Sequence, residues 1–475
     1  MTVRSVAAVV GPLFGAAFAI GAAQSPPAEE SASMPEIRFM TLDPGHFHAA
    51  LVQKEMYPGV ASTVDVYGLL GADLIAHLGR LASFNNRAER PTSWQVEVHT
   101  GADFLERMLR EKPGNVVVIS GRNRGKIERI ARSTEAGLHV LTDKPWILRP
   151  ADLTRLESVL ATADEKGLVA YDIMTERYEV TSMLQRDLVN DPAVFGRIEN
   201  GTSDQPAVYL ESVHHLMKTV AGAPNIRPAW FFDTDAQGEG LNDIGTHLVD
   251  LVHWTLFPEG ALDYRKDIRV LSAQRWPTMI PENDFKRVTG TAGFPDALRA
   301  RVRDGSLEYF CNTLVTYVVR GVHTTLNVIW DWEAPSGSGD THFAVYRGSR
   351  SRVEVRQGTA ERFRTELYVV PNEGESKEAL LAAVRTRLDA LRTTYPGAAV
   401  QDRGSELQIS VPDALRVSHE EHFAQVTQRF LRFIRNRREL PAWERPNMAA
   451  KYYVTTMGTE MSREGPSRAA PRLAP

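Results

Sequence analysis

The sequence predicts an α/β protein in two parts, a doubly wound parallel sheet followed by an α+β domain built on a mostly antiparallel open sheet. Three observations carry this. From Glu36 to about Asp172, short β-branched runs alternate with amphipathic stretches, the pattern of strand, crossover helix and strand. After Thr175 the alternation gives way to successive strands separated by Gly-rich turns, as in an antiparallel sheet. A chain of 475 residues, 43% hydrophobic and 24% charged, is also long enough for two or three globular domains.

The first part offers strands at Ile37 to Leu42, Thr63 to Leu69, Trp94 to His99, Asn115 to Ser120, Leu138 to Leu141 and Leu168 to Tyr171. Asp103 to Arg110, Lys126 to Glu135 and Ala151 to Lys166 carry apolar residues at helical steps, and Gly137 and Gly167 stand where such helices should stop. Six strands with crossovers make a Rossmann-type domain, placed over 34–174. The second domain, 175–463, has strands at Arg269 to Arg275, Ser306 to Tyr309, Thr313 to Val319, His323 to Trp332, His342 to Arg347 and Arg352 to Gln357. An αβ insertion near 361–413 contains a helix, Ser376 to Leu391, and a short strand, Leu407 to Val411. His419 to Arg435 and Ala449 to Thr459 read as closing helices, and 464–475 as a flexible Pro-, Ala- and Arg-rich tail.

Residues 1–33 read as a signal peptide and linker: Arg4 precedes an uncharged Ala/Gly/Val-rich stretch from about Val6 to Ala23, followed by Gln24-Ser25-Pro26-Pro27. That stretch, interrupted by Gly and Pro, suits export to the periplasm better than stable membrane insertion. A net charge of -4 gives no attraction to nucleic acid or anionic lipid, so the expected partner is a small molecule. Cys311 is the only cysteine and reads as a small buried hydrophobe.

The chemistry concentrates in two places. In Gly238 to Asp250, a helix starting near Asp243 puts Asp243, His247 and Asp250 on one face. A carboxylate one turn before a His is a general-base arrangement, with Asp243 orienting His247. No metal is expected there, because no Cys or second nearby His completes a ligand set. The other place is Asp143-Lys144-Pro145, at the end of the fifth strand, where Lys144 points at the edge at which such folds bind ligands. A cis Lys144-Pro145 bond would aim that side chain.

The turn after the first strand reads Asp43-Pro44-Gly45-His46-Phe47-His48, with only Gly45 of the glycines that let a backbone approach a pyrophosphate. Asp73, slightly beyond the second strand, is the acidic residue available for an adenosine ribose. These residues together resemble the glucose-fructose oxidoreductase, inositol dehydrogenase and rhizopine-catabolism (Gfo/Idh/MocA) family. Asp143-Lys144-Pro145 is similar to that family's Glu-Lys-Pro, and Gly238 to Asp250 to its Gly-Gly-Gly-x-Leu-x-Asp-x-Gly-x-His-x-x-Asp pattern. Ile119 to Lys126 resembles its loop beside the cofactor, keeping Asn123.

The resemblance implies an NAD or NADP cofactor, with Asp43, Gly45, His46, His48, Asp73, Asn123 and Lys144 as the expected cofactor-binding residues; the loop's missing glycines add the expectation that side chains such as Arg122 or Lys126 supply phosphate contacts. It implies Lys144, Asp243 and His247 as catalytic residues, and Arg177, His214, His215 and Asp243 as residues facing a sugar. Trp230, Trp276 and Trp330 read as core. The expected function is nicotinamide-dependent oxidation of a secondary hydroxyl on a sugar or glycoside, with retained cofactor. The alternatives are glycoside cleavage by oxidation, elimination and re-reduction, or a secreted sugar-binding protein without cofactor. A homo-oligomer is a family-level expectation.

Overall fold

The computed structural model describes residues 36–220, 223–224 and 226–465. The signal-peptide reading, and the tail beyond 465, lie outside the described residues. Among those described, no helix is long and apolar enough to cross a membrane.

The first sheet has six parallel strands, β1 (Phe39–Leu42), β2 (Thr63–Gly68), β3 (Gln95–Thr100), β4 (Val116–Ile119), β5 (His139–Thr142) and β6 (Ala170–Asp172). Their order, β3-β2-β1-β4-β5-β6, reverses between β1 and β4, the switch point at which such sheets bind ligands. Helices α1 (Ala72–Asn86), α2 (Phe104–Glu111), α3 (Lys126–Glu135) and α4 (Leu153–Glu165) make four of the crossovers. The central strands are buried on both faces and are apolar runs, whereas the edge strand β3 is largely exposed and alternates. Val117 and Ile119 pack with Ile130, Leu156 and Val159 on one side, Val116 and Val118 with Phe423 and Phe430 on the other.

The crossover from β1 to β2 is unusual in keeping only one helical turn, His48–Leu51. Part of the cover on its face comes from far along the chain, from Phe423, Phe430 and Phe433.

The second sheet is ten-stranded and mixed. Its main path uses β7 (Val208–Met217), β8 (Ile268–Pro281), β9 (Ser306–Val319), β10 (Val322–Glu333), β11 (Thr341–Arg347), β12 (Ser351–Gln357), β13 (Glu366–Pro371), β14 (Ala399–Asp402) and β15 (Leu407–Ser410). The order is β8-β9-β10-β7-β11-β12-β13-β15-β14, antiparallel except for the β7–β10 pair, which runs parallel. Ser306 to Val319 is one strand where two were expected, and the αβ insertion extends the same sheet through β13, β15 and β14. On one face lie α5 (Val180–Val189) and α6 (Gly240–Leu256), whose Leu184, Leu188, Leu248, Val249 and Val252 join the larger core. The insertion helix α7 (Lys377–Ala390) adds Leu380 and Val384 to it.

Two closing helices, α8 (His419–Arg435) and α9 (Glu444–Glu464), return to the first sheet, with Met448 and Tyr452 of α9 in its core. Helix α9 also gives Ala449, Ala450 and Val454 to the larger core of the second sheet.

Candidate active site at the sheet junction

Lys144 leaves the C-terminal end of β5 through a cis Lys144-Pro145 peptide, and its ammonium pairs with the Asp243 carboxylate. Nζ also donates to the Asp243 main-chain carbonyl at 3.2 Å. Asp243 stands in the first turn of α6, where an acid is favoured by the helix's unpaired N–H groups. That turn lies so close to β9 that a Cβ on Gly240 would sit 1.9 Å from the Cys311 carbonyl oxygen, which accounts for glycine there. Burial alone would raise the Asp243 carboxyl, but the Lys144 ammonium holds it below its ordinary range. Cys311 is buried, and burial pushes its thiol up to about 12, as befits a packing residue.

One turn on, His247 is buried and its Nδ1 has no hydrogen-bond partner among the described residues. Burial, then the nearby Lys144 charge, lowers it to about 4, so it is neutral at pH 7. The expectation that Asp243 orients His247 fails, because Asp243 is taken up by Lys144. Two carboxylates, Glu176 and less strongly Asp250, oppose the downward shift of His247. Asp250, the third acid of the expected face, accepts from Arg177 Nε and Nη2 at 2.6 and 2.7 Å and from Lys451 at 2.9 Å. Arg177 was expected to face substrate; instead its guanidinium is held by Asp250 and, at 2.7 Å, by Glu444, and it does not line the cavity beside His247.

His247 opens on a cavity of about 190 Å³ with Ile244, Glu176, Ser212, His214, Asp340 and His342. This is below the roughly 300–1,000 Å³ typical of drug-sized ligands and suits a single small polar unit. His214 bonds Ser212 Oγ through Nε2 at 2.8 Å and lies 3.2 Å from Asp340 through Nδ1. His215 also reaches Asp340, at 2.9 Å, but does not line the cavity. Glu176 lies 3.4 Å from His419 Nδ1 on α8. Glu176, Asp340, His342 and His419 were missed from sequence: they come from four separate segments, and no spacing joins them.

At the β1 edge, Asp43 is left-handed (φ 48°) and pairs with Arg129 at 3.0 Å. The Gly45 and His46 amides both donate to the Ser120 carbonyl, at 3.0 and 3.1 Å, so they are already committed. His48 Nδ1 and His46 Nδ1 lie 3.0 and 3.3 Å from one Asp143 oxygen. Lys126 is fully buried and donates to the Asp143 main-chain carbonyl at 2.9 Å, which corrects its expected phosphate role. Asn123 Nδ2 donates to the Gln237 carbonyl at 2.6 Å.

Trp230, expected in the core, instead lies over the loop: a Cβ on Gly45 would come within 3.2 Å of its ring. Its Nε1 donates to Asp73 at 3.0 Å, and Arg122 stacks on it while pairing with Asp73 at 3.1 Å. Asp73 itself belongs to the first turn of α1, a helix missed from sequence. Asp43, Gly68, Leu69, Leu70, Gly71, Asp73 and Trp230 line a second cavity, of about 580 Å³.

Residues 184–463 match the family model described as "Putative oxidoreductase C terminal domain". The chain belongs to this oxidoreductase family, of the Gfo/Idh/MocA type. It is 45% identical to a "putative oxidoreductase" from Parabacteroides merdae ATCC 43184 of known structure, over 90% of this chain and 98% of that one, with a TM-score of 0.88. "Putative oxidoreductase YteT" of Bacillus subtilis (strain 168) is 25% identical over 169 residues, 34% of this chain and only 36% of that relative's length. GenD2 from gentamicin A biosynthesis, solved in complex with NAD, shares the fold at 14% identity and a TM-score of 0.55, over 91% of this chain and 95% of its own.

Proposed function

We propose that this oxidoreductase uses NAD or NADP to oxidise a secondary hydroxyl of a sugar or glycoside, and that it keeps the cofactor bound between turnovers. The observation that carries this is a neutral, buried His247 opening on a small polar cavity, with the Lys144–Asp243 ion pair one helical turn behind it. GenD2, which shares the fold, is a complex with NAD.

The residues present fit the adenosine half of such a cofactor. The cavity beside β2 combines an apolar ledge, Leu69 (56% exposed) and Leu70 (76% exposed), with the Asp73 carboxylate, a partner for ribose hydroxyls. Gly71 borders open space, so nothing crowds that ledge from its side. Arg122 offers the positive charge for phosphate in place of the committed amides of Gly45 and His46. Bound NAD(P) supplies the hydride acceptor. His247 takes the hydroxyl proton, and Glu176 stabilises the imidazolium that forms. Lys144, with Asp243 beside it, stabilises negative charge developing on the substrate oxygen. His214 and Ser212, already bonded to each other, offer hydrogen bonds to neighbouring hydroxyls.

Retention of the cofactor follows from the leader-like segment at 6–23. Outside the cytoplasm no pool of NAD(P) replenishes a lost cofactor. The test is to dialyse natively exported protein, denature it and assay the supernatant for NAD(P), then to supply glycosides and follow nicotinamide reduction. Stoichiometric release together with substrate-dependent reduction supports the reading. An empty supernatant with turnover that depends on added NAD(P) removes retention, and no reduction with any polyol or glycoside removes the activity.

A further inference from the structure

We propose that His46, His48 and Asp143 form a binding site for one divalent transition-metal ion of the zinc class, at the C-terminal edge of the first sheet. One donor atom from each residue lies within 4.8 Å of the other two. Zinc bonds of about 2.0–2.1 Å at tetrahedral angles set ligand atoms about 3.3 Å apart. His48 Nδ1 and His46 Nδ1 lie 3.0 and 3.3 Å from Asp143 Oδ2, close to that edge length. Two imidazoles and a carboxylate are the donor set that zinc accepts in sites with three protein ligands and a fourth position open to a small oxygen ligand.

The surroundings hold these groups in place before any ion arrives. The main chain of the loop is pinned by the paired amides of Gly45 and His46 on the Ser120 carbonyl. A Cβ on Gly121 would fall 2.4 Å from the Asp43 carbonyl oxygen, so loop and β4 edge meet at a distance only glycine permits. Ser120 Oγ donates to Asp143 Oδ2 at 3.1 Å, and Lys126 holds the Asp143 main-chain carbonyl. Outer partners of this kind orient metal ligands.

One atom in the cluster is unsatisfied. His46 Nδ1 is buried, and although Asp143 is 3.3 Å away it has no aligned hydrogen-bond partner among the described residues. A buried imidazole nitrogen without a partner costs free energy, and a cation between the two rings and the carboxylate would satisfy it.

The site is independent of the NAD(P) reading and is tested without turnover. Full-length protein without a polyhistidine tag is dialysed against metal-free buffer, analysed by elemental mass spectrometry, and titrated with Zn2+ and with Co2+, whose visible spectrum reports tetrahedral nitrogen and oxygen ligation. NAD(P) is assayed in the same samples. Wild type is expected to bind one ion per chain with a tetrahedral Co2+ spectrum. His46→Gln and His48→Gln are expected to bind more than about 100-fold more weakly, since losing even an outer partner costs about 10–100-fold. Should either variant unfold, the stoichiometry and Co2+ spectrum of wild type still decide. No stoichiometric ion in wild type, an octahedral spectrum, or unchanged binding in both folded variants would overturn the proposal and leave a hydrogen-bonded cluster around Asp143.

Discussion

Two turns of α6 carry acids that look alike in sequence and differ in how completely they are paired. Around Asp250 every carboxylate has a cationic partner: Arg177 bridges it to Glu444, and Lys451 bridges it to Asp172 at 2.7 Å. Tyr171 and Tyr452 donate to Glu444 and Asp172, at 3.3 and 3.2 Å. Two turns earlier Asp243 has Lys144, but His247 between the two acids keeps an unpartnered nitrogen and a cavity in front of it. A saturated buried network holds elements together, whereas a half-satisfied one has bonding capacity to give to a ligand.

Substitutions on the two sides should therefore fail in opposite ways. His247→Ala and Lys144→Ala are expected to cut turnover by about two to four orders of magnitude, with the folded state retained. Steady-state kinetics beside thermal melts reads both, and near-normal turnover in His247→Ala would erase the distinction. Arg177→Ala is expected to cost about 3–5 kcal/mol of stability by leaving Asp250 and Glu444 buried and under-paired. Denaturant unfolding measures that loss, while kcat of the protein that remains folded should change far less than in His247→Ala.

The pH responses sharpen the contrast further. His77 and His253 are buried with both ring nitrogens unpartnered, and burial lowers each to about 3. Between an unfolded value of about 6.5 and that folded value, only the unfolded chain takes up the proton, so stability falls as pH falls. The loss is up to about 1.4 kcal/mol per pH unit for each group, readable as a falling Tm from pH 7 to 5. Over the same range kcat/KM should stay level, declining only as His247 protonates near pH 4. An activity limb near pH 6.5, absent from stability, would mean that the substrate's proton goes to another group.

The first sheet was legible because the central strands are largely apolar runs and β3 alternates Val96 and Val98 with polar residues, each flanked by turns. The helix Lys126–Glu135 was placed to the residue, its apolar positions falling at regular helical steps. Helix α1 escaped because Gly79 interrupts it and Ile75 stays exposed, which blurs its apolar stripe. Strand β7 escaped because it lies between β10 and β11, with Glu211, Ser212, His214 and His215 along it; its neighbours, more than its own alternation, define it as a strand. In the site, Lys144, Asp243 and His247 were visible through local motifs. Glu176, Asp340 and His342 meet His247 only through tertiary packing, and Trp230 reads as core until its ring is seen against Gly45, Asp73 and Arg122.

The pairing of α9 with the first sheet sets a timetable for biosynthesis. Tyr452 follows Asp172 by 280 positions, and at about 5–20 residues per second the ribosome needs roughly 15–60 seconds to supply it. Through that interval Asp172 waits without Lys451, and the apolar face later covered by Phe423, Phe430 and Leu431 stays open. The N-terminal half of the chain is then not yet a finished domain, and the last helix to emerge completes the packing of the first sheet to be made.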